Sequence, residues 1–245
     1  MERLDKILAS QGVGTRSEVR KLIWSGRVAV DGEICRAIDS KWEPTAHDIT
    51  VSGTPICYRR HLYIMMNKPD GVVSASNDSH VETVIDILPP DLRRKGLFPV
   101  GRLDKDTTGL LLITDDGAFA HSVTSPGKKV FKTYSVSLDG ALSEEDAEVL
   151  RRGVMIDGNE QCLPAQVAVL DEERYIYEIR ICEGKFHQVK RMAQAVGRRV
   201  TALERTAVGA LTLDSSLARG QARELTEAEK RLPLSDGEDV ALSRT

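Results

Sequence analysis

The sequence predicts an α+β fold, in which a mixed, largely antiparallel sheet carries helices between its strands and a small helix-and-hairpin domain precedes it. Two observations carry this. Apolar runs of strand length, bounded by Gly, Pro, Asn and Asp, recur along the 245 residues with helical patterns between them and no regular βαβ alternation. The N-terminal stretch instead shows two helical patterns and then a tight turn. The length suits one sizeable domain and one small one. The expected division is 1–58, 59–232 and a polar, loose tail over 233–245.

Taken in order, Leu4, Ile7 and Leu8 share one helical face, and Gln11-Gly12 stops that helix. Thr15-Arg16-Ser17-Glu18 is a capping box that starts a second helix, with Val19, Leu22 and Ile23 on its inner face. Val28-Ala29-Val30, Asp31-Gly32 and Glu33-Ile34 read as a hairpin. Ile56 to His61 has no periodicity and holds two adjacent arginines, as a linker would. Beyond it, Leu62–Met66 reads as a strand ending at the turn Asn67-Lys68-Pro69-Asp70-Gly71. Leu97–Val100 and Leu110–Ile113 read as buried strands. Asp115-Asp116-Gly117 leads into a helix from Ala118 to Val123, and Lys132–Leu138 alternates as a strand does. Ser143 caps the next helix. Strands follow over Ala165–Leu170 and Tyr175–Cys182, then a helix over His187–Val196 stopped by Gly197. Short strands at Val200–Leu203 and Ala210–Leu213 complete the pattern.

Composition excludes several classes. No apolar run approaches a membrane span and Met1–Lys6 is no signal peptide, so a cytoplasmic protein without membrane contact is expected. Cys35, Cys57, Cys162 and Cys182 are scattered, which argues against both a zinc site and a disulfide framework. The net charge of −3 does not announce a nucleic-acid partner, but phosphates respond to a local patch rather than to the total. Residues 1–27 hold such a candidate patch: Arg3, Lys6, Arg16, Arg20, Lys21 and Arg27 against Glu2, Asp5 and Glu18. Scattered, solvated surface charge is the competing reading.

Three stretches are candidates for chemistry. Between the strands ending at Val100 and starting at Leu110 lies a charged loop, Gly101-Arg102-Leu103-Asp104-Lys105-Asp106-Thr107-Thr108-Gly109. A carboxylate beside a guanidinium suits a site that grips a polyanion while the carboxylate reacts, although turn hydrogen bonds alone would also explain the aspartates. Asp104, Asp106, Asp115 and Asp116 together evoke a two-metal nuclease, against which stand the absence of nearby His or Glu ligands and the turn character of Asp115-Asp116-Gly117. Lys132-Thr133-Tyr134 sets an aromatic ring on a strand in a chain with only 4% aromatic residues, for packing or for stacking. In Glu183–Met192, Val189, Met192 and Ala193 mark the inner face of a helix, leaving Lys190 and Arg191 off it.

The pattern G-R-L-D-x-x-T-x-G resembles the catalytic loop of the pseudouridine synthases, more narrowly their RsuA-type branch. The N-K-P-x-G turn and the K-x-Y segment match that family too, and the resemblance runs from Arg3 to about Leu232. R-L-D-K, the S-E-V-R-K-L-I helix and the V-A-V-D-G hairpin resemble the S4 RNA-binding module. The resemblance implies an S4-like domain joined to a catalytic domain that isomerises uridine in ribosomal RNA. Asp104 would be the indispensable residue, Lys190 its cationic partner and Tyr134 the ring stacked on a flipped uracil. Arg102 would fill the space the nucleotide leaves, Arg191 hold phosphate, and Leu211 pack near the base. Lys6, Arg16, Arg20 and Lys21 would contact RNA phosphates. No cofactor and no metal are implied, His187 takes an orienting role, and a monomer is expected.

Phe186-His187-Gln188-Val189-Lys190-Arg191 and Thr124-Ser125-Pro126 resemble the small-subunit type. The expected partner is therefore 16S rRNA in a partly assembled small subunit. A synthase for 23S rRNA and a non-catalytic assembly factor are the alternatives.

Overall fold

The computed structural model describes residues 1–235 and divides them into two compact units. The first comprises Met1–Leu62 with Arg93–Leu97. In it β1 (Glu2–Arg3) leads into α1 (Leu4–Ser10), and α2 (Arg16–Trp24) follows. The capping box forms as expected: Glu18 N–H donates to Thr15 Oγ1, and Thr15 N–H to Glu18 Oε2 at 2.7 Å. Next come β2 (Val28–Val30), β3 (Glu33–Ile34), β4 (Lys41–Trp42), β5 (Ile49–Val51) and β6 (Thr54–Pro55). β4 pairs with β1, and the others form an antiparallel sheet in the order β3-β2-β5-β6. Asp31 and Gly32 both take positive φ (52° and 84°), the backbone of a tight hairpin turn whose twist suits the flanking strands. Leu4, Ile7, Leu8, Val19, Ile23, Val28, Val30 and Ile49 form one core.

The second unit, Tyr63–Leu92 with the chain from Phe98 onward, is built on a nine-stranded sheet. Its elements are β7 (Tyr63–Lys68), β8 (Phe98–Pro99), β9 (Thr108–Thr114), α3 (Gly117–Thr124), β10 (Lys132–Leu138) and α4 (Glu144–Arg152). They continue with β11 (Met155–Ile156), β12 (Glu160–Gln161), β13 (Gln166–Asp171), β14 (Ile176–Ile181), α5 (Gln188–Ala195), β15 (Val200–Val208), β16 (Leu211–Thr212) and β17 (Ala222–Glu224). The strand order is β13-β14-β10-β15-β9-β7-β17, with β16 on β15 and β8 on β9; β11 and β12 pair separately as a hairpin. All pairings in the large sheet are antiparallel except β9 with β15, so the sheet is mixed and largely antiparallel. β9 is apolar on both faces, as a central strand must be, with Leu110, Leu111, Leu112 and Ile113 all buried.

Several elements differ from the sequence expectation. Asn67 and Lys68 end β7 rather than open a turn, because β9 and β17 hydrogen-bond that strand from both sides. Only Phe98 and Pro99 of the Leu97–Val100 run pair as a strand. The short strand expected at Val200–Leu203 runs on to Val208, paired along β10. β17 and the β11–β12 hairpin have too little apolar pattern to be read. Pro233 and Leu234, expected in the tail, belong to a 3₁₀ turn, Glu229–Leu234; the rest of that segment, 236–245, lies outside the described residues. Among the described residues no helix is long and apolar enough to cross a membrane.

Candidate active site

The loop between β8 and β9 is fixed from beneath by Lys68. This lysine is fully buried at the end of β7, and its Nζ donates to the carbonyls of Pro69 (3.0 Å), Lys105 (3.1 Å) and Thr107 (2.9 Å). Burial pushes its ammonium down to about 8, against the pull of Asp70, Asp106 and Asp104. Ser74 holds the same loop from the side, its Oγ accepting from Leu103 N–H (3.1 Å) and donating to Leu103 O (2.9 Å). At the end of the loop Gly109 has φ 99°, and a Cβ there would sit 2.3 Å from the Arg205 carbonyl oxygen. Only glycine lets β9 lie against β15 at that point.

Asp104 projects from this loop toward α5. Its Oδ2 is 3.2 Å from Lys190 Nζ, and its Oδ1 is 3.5 Å from His187 Nε2. Lys190 also donates to Asp106 Oδ1 at 2.5 Å. Burial works against the Lys190 ammonium, but the hydrogen bonds it donates to both carboxylates outweigh it and raise its pKa. The Asp106 carboxyl is held below its ordinary value, first by the Lys190 hydrogen bond. Helix α5 aims Lys190 here because Val189, Met192 and Ala193 bury the opposite side. Gln188 locks the entry to the helix: it accepts from Lys185 N–H and donates to Glu183 Oε2.

Asp104 opens onto a cavity of about 830 Å³. Tyr134 on β10, 9% exposed, forms part of its wall, with Arg102, Lys132 and Arg205. Val100, Leu112, Val123 and Val208 supply apolar lining. Phe186, 75% exposed, stacks on His187 with ring centroids 3.8 Å apart.

The structure thus brings Asp104, Tyr134, Lys190 and Arg102 together, and leaves two expected residues elsewhere. Arg191 does not line the cavity; it binds Asp157 (2.5 Å), Glu160 (2.8 Å) and the Phe186 carbonyl, which ties α5 to the β11–β12 hairpin. One turn position separates it from Lys190, and helical geometry sends the two apart. Leu211 is buried in the apolar cluster with Val100, Leu112, Val123 and Val208, behind the lining. In the first unit Lys6, Arg16, Arg20 and Lys21 are all exposed. Lys6 pairs with Glu2, and Arg20 donates to the buried Asp5. Lys68, Lys132 and Arg205 were not singled out by sequence reasoning. Lys68 and Lys132 stood inside recognised motifs, whereas Arg205 lay beyond the short strand expected at Val200–Leu203. Among the described residues no group of three His, Cys, Asp or Glu side chains is placed to hold a metal ion.

Residues 62–195 match the family model described as RNA pseudouridylate synthase, and residues 2–39 match the S4 domain. An "Uncharacterized RNA pseudouridine synthase YtzG" of Bacillus subtilis is 46% identical, covering 94% of this chain and 97% of its own. "Ribosomal small subunit pseudouridine synthase A" of Vibrio cholerae is 42% identical over 93% of this chain and 97% of its own; that of Escherichia coli K12 is 41% identical with the same coverage. A solved pseudouridylate synthase aligns with a TM-score of 0.65 at 34% identity, covering 95% of this chain and all of its own.

Proposed function

The chain belongs to the RNA pseudouridylate synthase family, and from that premise we propose that it converts one uridine of 16S rRNA to pseudouridine in a partly assembled small subunit. The observation that carries this reading is the ion pair of Asp104 and Lys190 at the edge of a cavity walled by Tyr134. The cavity has room for a nucleotide, and a base can reach it only by leaving its stack. The target uridine flips in against Tyr134, while Arg102, exposed at the rim, takes the vacated place. Lys190 holds the Asp104 carboxylate in place at the cavity edge. Asp104 acts on the ribosyl unit, and the bond from C1′ to N1 breaks. The freed uracil turns, C5 bonds to C1′, and the C5 proton is lost. The sum is an isomerisation, so this route requires no cofactor, ATP or metal. The relatives named for the small ribosomal subunit, at 41–42% identity, support the choice of 16S rRNA. The protein acts as a monomer, and its S4-like unit holds the RNA by phosphates through Lys6, Arg16, Arg20 and Lys21. In place of a phosphate contact, we assign Arg191 to anchoring α5.

Loss of the C5 proton supplies the assay. Small-subunit and large-subunit particles carrying uridine tritiated at C5 are incubated with the enzyme, and released tritium is counted. The wild type is expected to release tritium from small-subunit particles, with or without chelator. Asp104→Asn is expected to release none while binding RNA normally. Turnover by Asp104→Asn removes the catalytic assignment, and product only in 23S rRNA overturns the substrate while leaving the chemistry intact.

A further inference from the structure

We propose that Arg205 is a second cation of this site, holding a carbonyl oxygen of the uracil ring and taking up the negative charge the ring acquires as its glycosidic bond breaks. The inference rests on the function proposed above. Arg205 is 4% exposed, on β15, and lines the cavity. Its Nε donates to the Leu110 carbonyl at 2.8 Å, which fixes the plane of the guanidinium. One of its terminal nitrogens is buried with no hydrogen-bond partner. Neither is there a carboxylate against it among the described residues: the adjacent Glu204 is bound to Arg219. Burying an unpaired N–H of a charged group forfeits its hydration without recompense. The fold accepts that penalty in a residue that lines the cavity wall.

Position specifies the ligand. In the antiparallel register Arg205 stands opposite Tyr134, and both side chains line the cavity. A ring stacked on Tyr134 therefore presents its edge to Arg205. Lys132 lines the same wall, its ammonium depressed first by burial and then by the charge of Arg205. Two cations without a carboxylate between them favour an electron-rich guest. Uracil becomes one during the reaction. When C1′–N1 breaks, the bonding pair stays on the base and spreads from N1 to O2 and O4. No bond forms to Arg205 and no proton is taken from it; it acts only as a hydrogen-bond donor. The pair is returned as C5 bonds to C1′; the C5 proton then leaves and N1 regains one. A hydrogen bond that strengthens as charge develops lowers the barrier more than it tightens binding.

The test is the tritium release assay under single turnover, together with RNA affinity and thermal unfolding, on Arg205→Met, Arg205→Lys and Arg205→Ala. Arg205→Met is expected to lose about a hundredfold or more in the chemical step, with RNA affinity and melting temperature near wild type. Arg205→Lys should keep part of the rate. Arg205→Ala should be partly rescued by millimolar guanidinium and not by its neutral analogue urea. Wild-type turnover by Arg205→Met, or a loss confined to affinity, overturns the assignment. A loss that tracks melting temperature and resists guanidinium makes Arg205 merely structural. If the wild type itself releases no tritium from either RNA, the proposed function fails first and this role with it.

Discussion

Replacing Lys68 by methionine tests what holds the Asp104 loop in shape. Two opposed quantities decide the outcome. The ammonium is depressed to about 8 from an ordinary 10.5, so keeping it charged in its buried position at neutral pH costs about 3 kcal/mol. Methionine removes that cost at nearly constant volume. It also removes the three hydrogen bonds to the carbonyls of Pro69, Lys105 and Thr107. Bonds to a charged donor are worth about 1.5–3 kcal/mol each, and two of these three brace the stretch that carries Asp104 and Asp106. The second quantity wins, and a net loss of about 2 kcal/mol is expected. Urea unfolding with an unchanged slope measures it. Hydrogen exchange should quicken over Leu103–Gly109 before it does elsewhere. A stability change below about 0.5 kcal/mol, with unaltered exchange in the loop, would refute the reasoning.

The close approach of β9 to β15 predicts that Gly109→Ala costs about 3 kcal/mol or more, from positive φ and collision with a backbone oxygen. Gly117→Ala, which meets nothing within 4 Å, is the neutral comparison; equal urea midpoints for the two would contradict the packing argument. Glu229 binds Arg223 through both carboxylate oxygens (2.9 and 2.7 Å), which holds its carboxyl at about 2 instead of 4.5. Its folded value is depressed, so its stabilisation is complete above 4.5 and lost as pH falls through about 2. The melting temperature of the wild type should fall over that window more steeply than that of Glu229→Gln. Replacing Arg16 and Lys21 by glutamine should flatten the salt dependence of RNA binding by roughly 0.7–0.9 of a log unit for each phosphate released, without changing stability. Arg20→Gln should do the same and also lower the melting temperature, because it strips a partner from the buried Asp5.

The capping box at Thr15, the Ser143 cap, the tight hairpin turn and the apolar run of β9 were legible in the sequence because each is a local signal: a residue type at a fixed spacing, read over a few positions. Asp104, Lys190 and Tyr134 were legible only through motif resemblance, since their convergence depends on pairings between distant strands. Arg191 shows the limit of such reading. It adjoins Lys190 in sequence, yet a rotation of one residue around α5 turns it toward Asp157 and Glu160. β17 escaped notice because Ala222-Arg223-Glu224 has no apolar alternation; it is a strand because β7 offers it hydrogen bonds. Arg205 escaped because the expected strand stopped at Leu203, and only the cavity makes the burial of its charge sensible.

The parallel junction between β9 and β15 has a bearing on when the molecule becomes an enzyme. Asp104 and β9 emerge early from the ribosome, but Lys190, Arg205 and the strand that receives Gly109 follow roughly a hundred residues later. Contacts so distant in sequence form slowly, since a long loop must close before they repay its entropy. During that interval β7 also has an open edge, because β17 lies still further along the chain than β15. The nascent chain therefore has Asp104 long before it has the cavity around it. Closure of the site and protection of the sheet edge both wait for strands far along the chain.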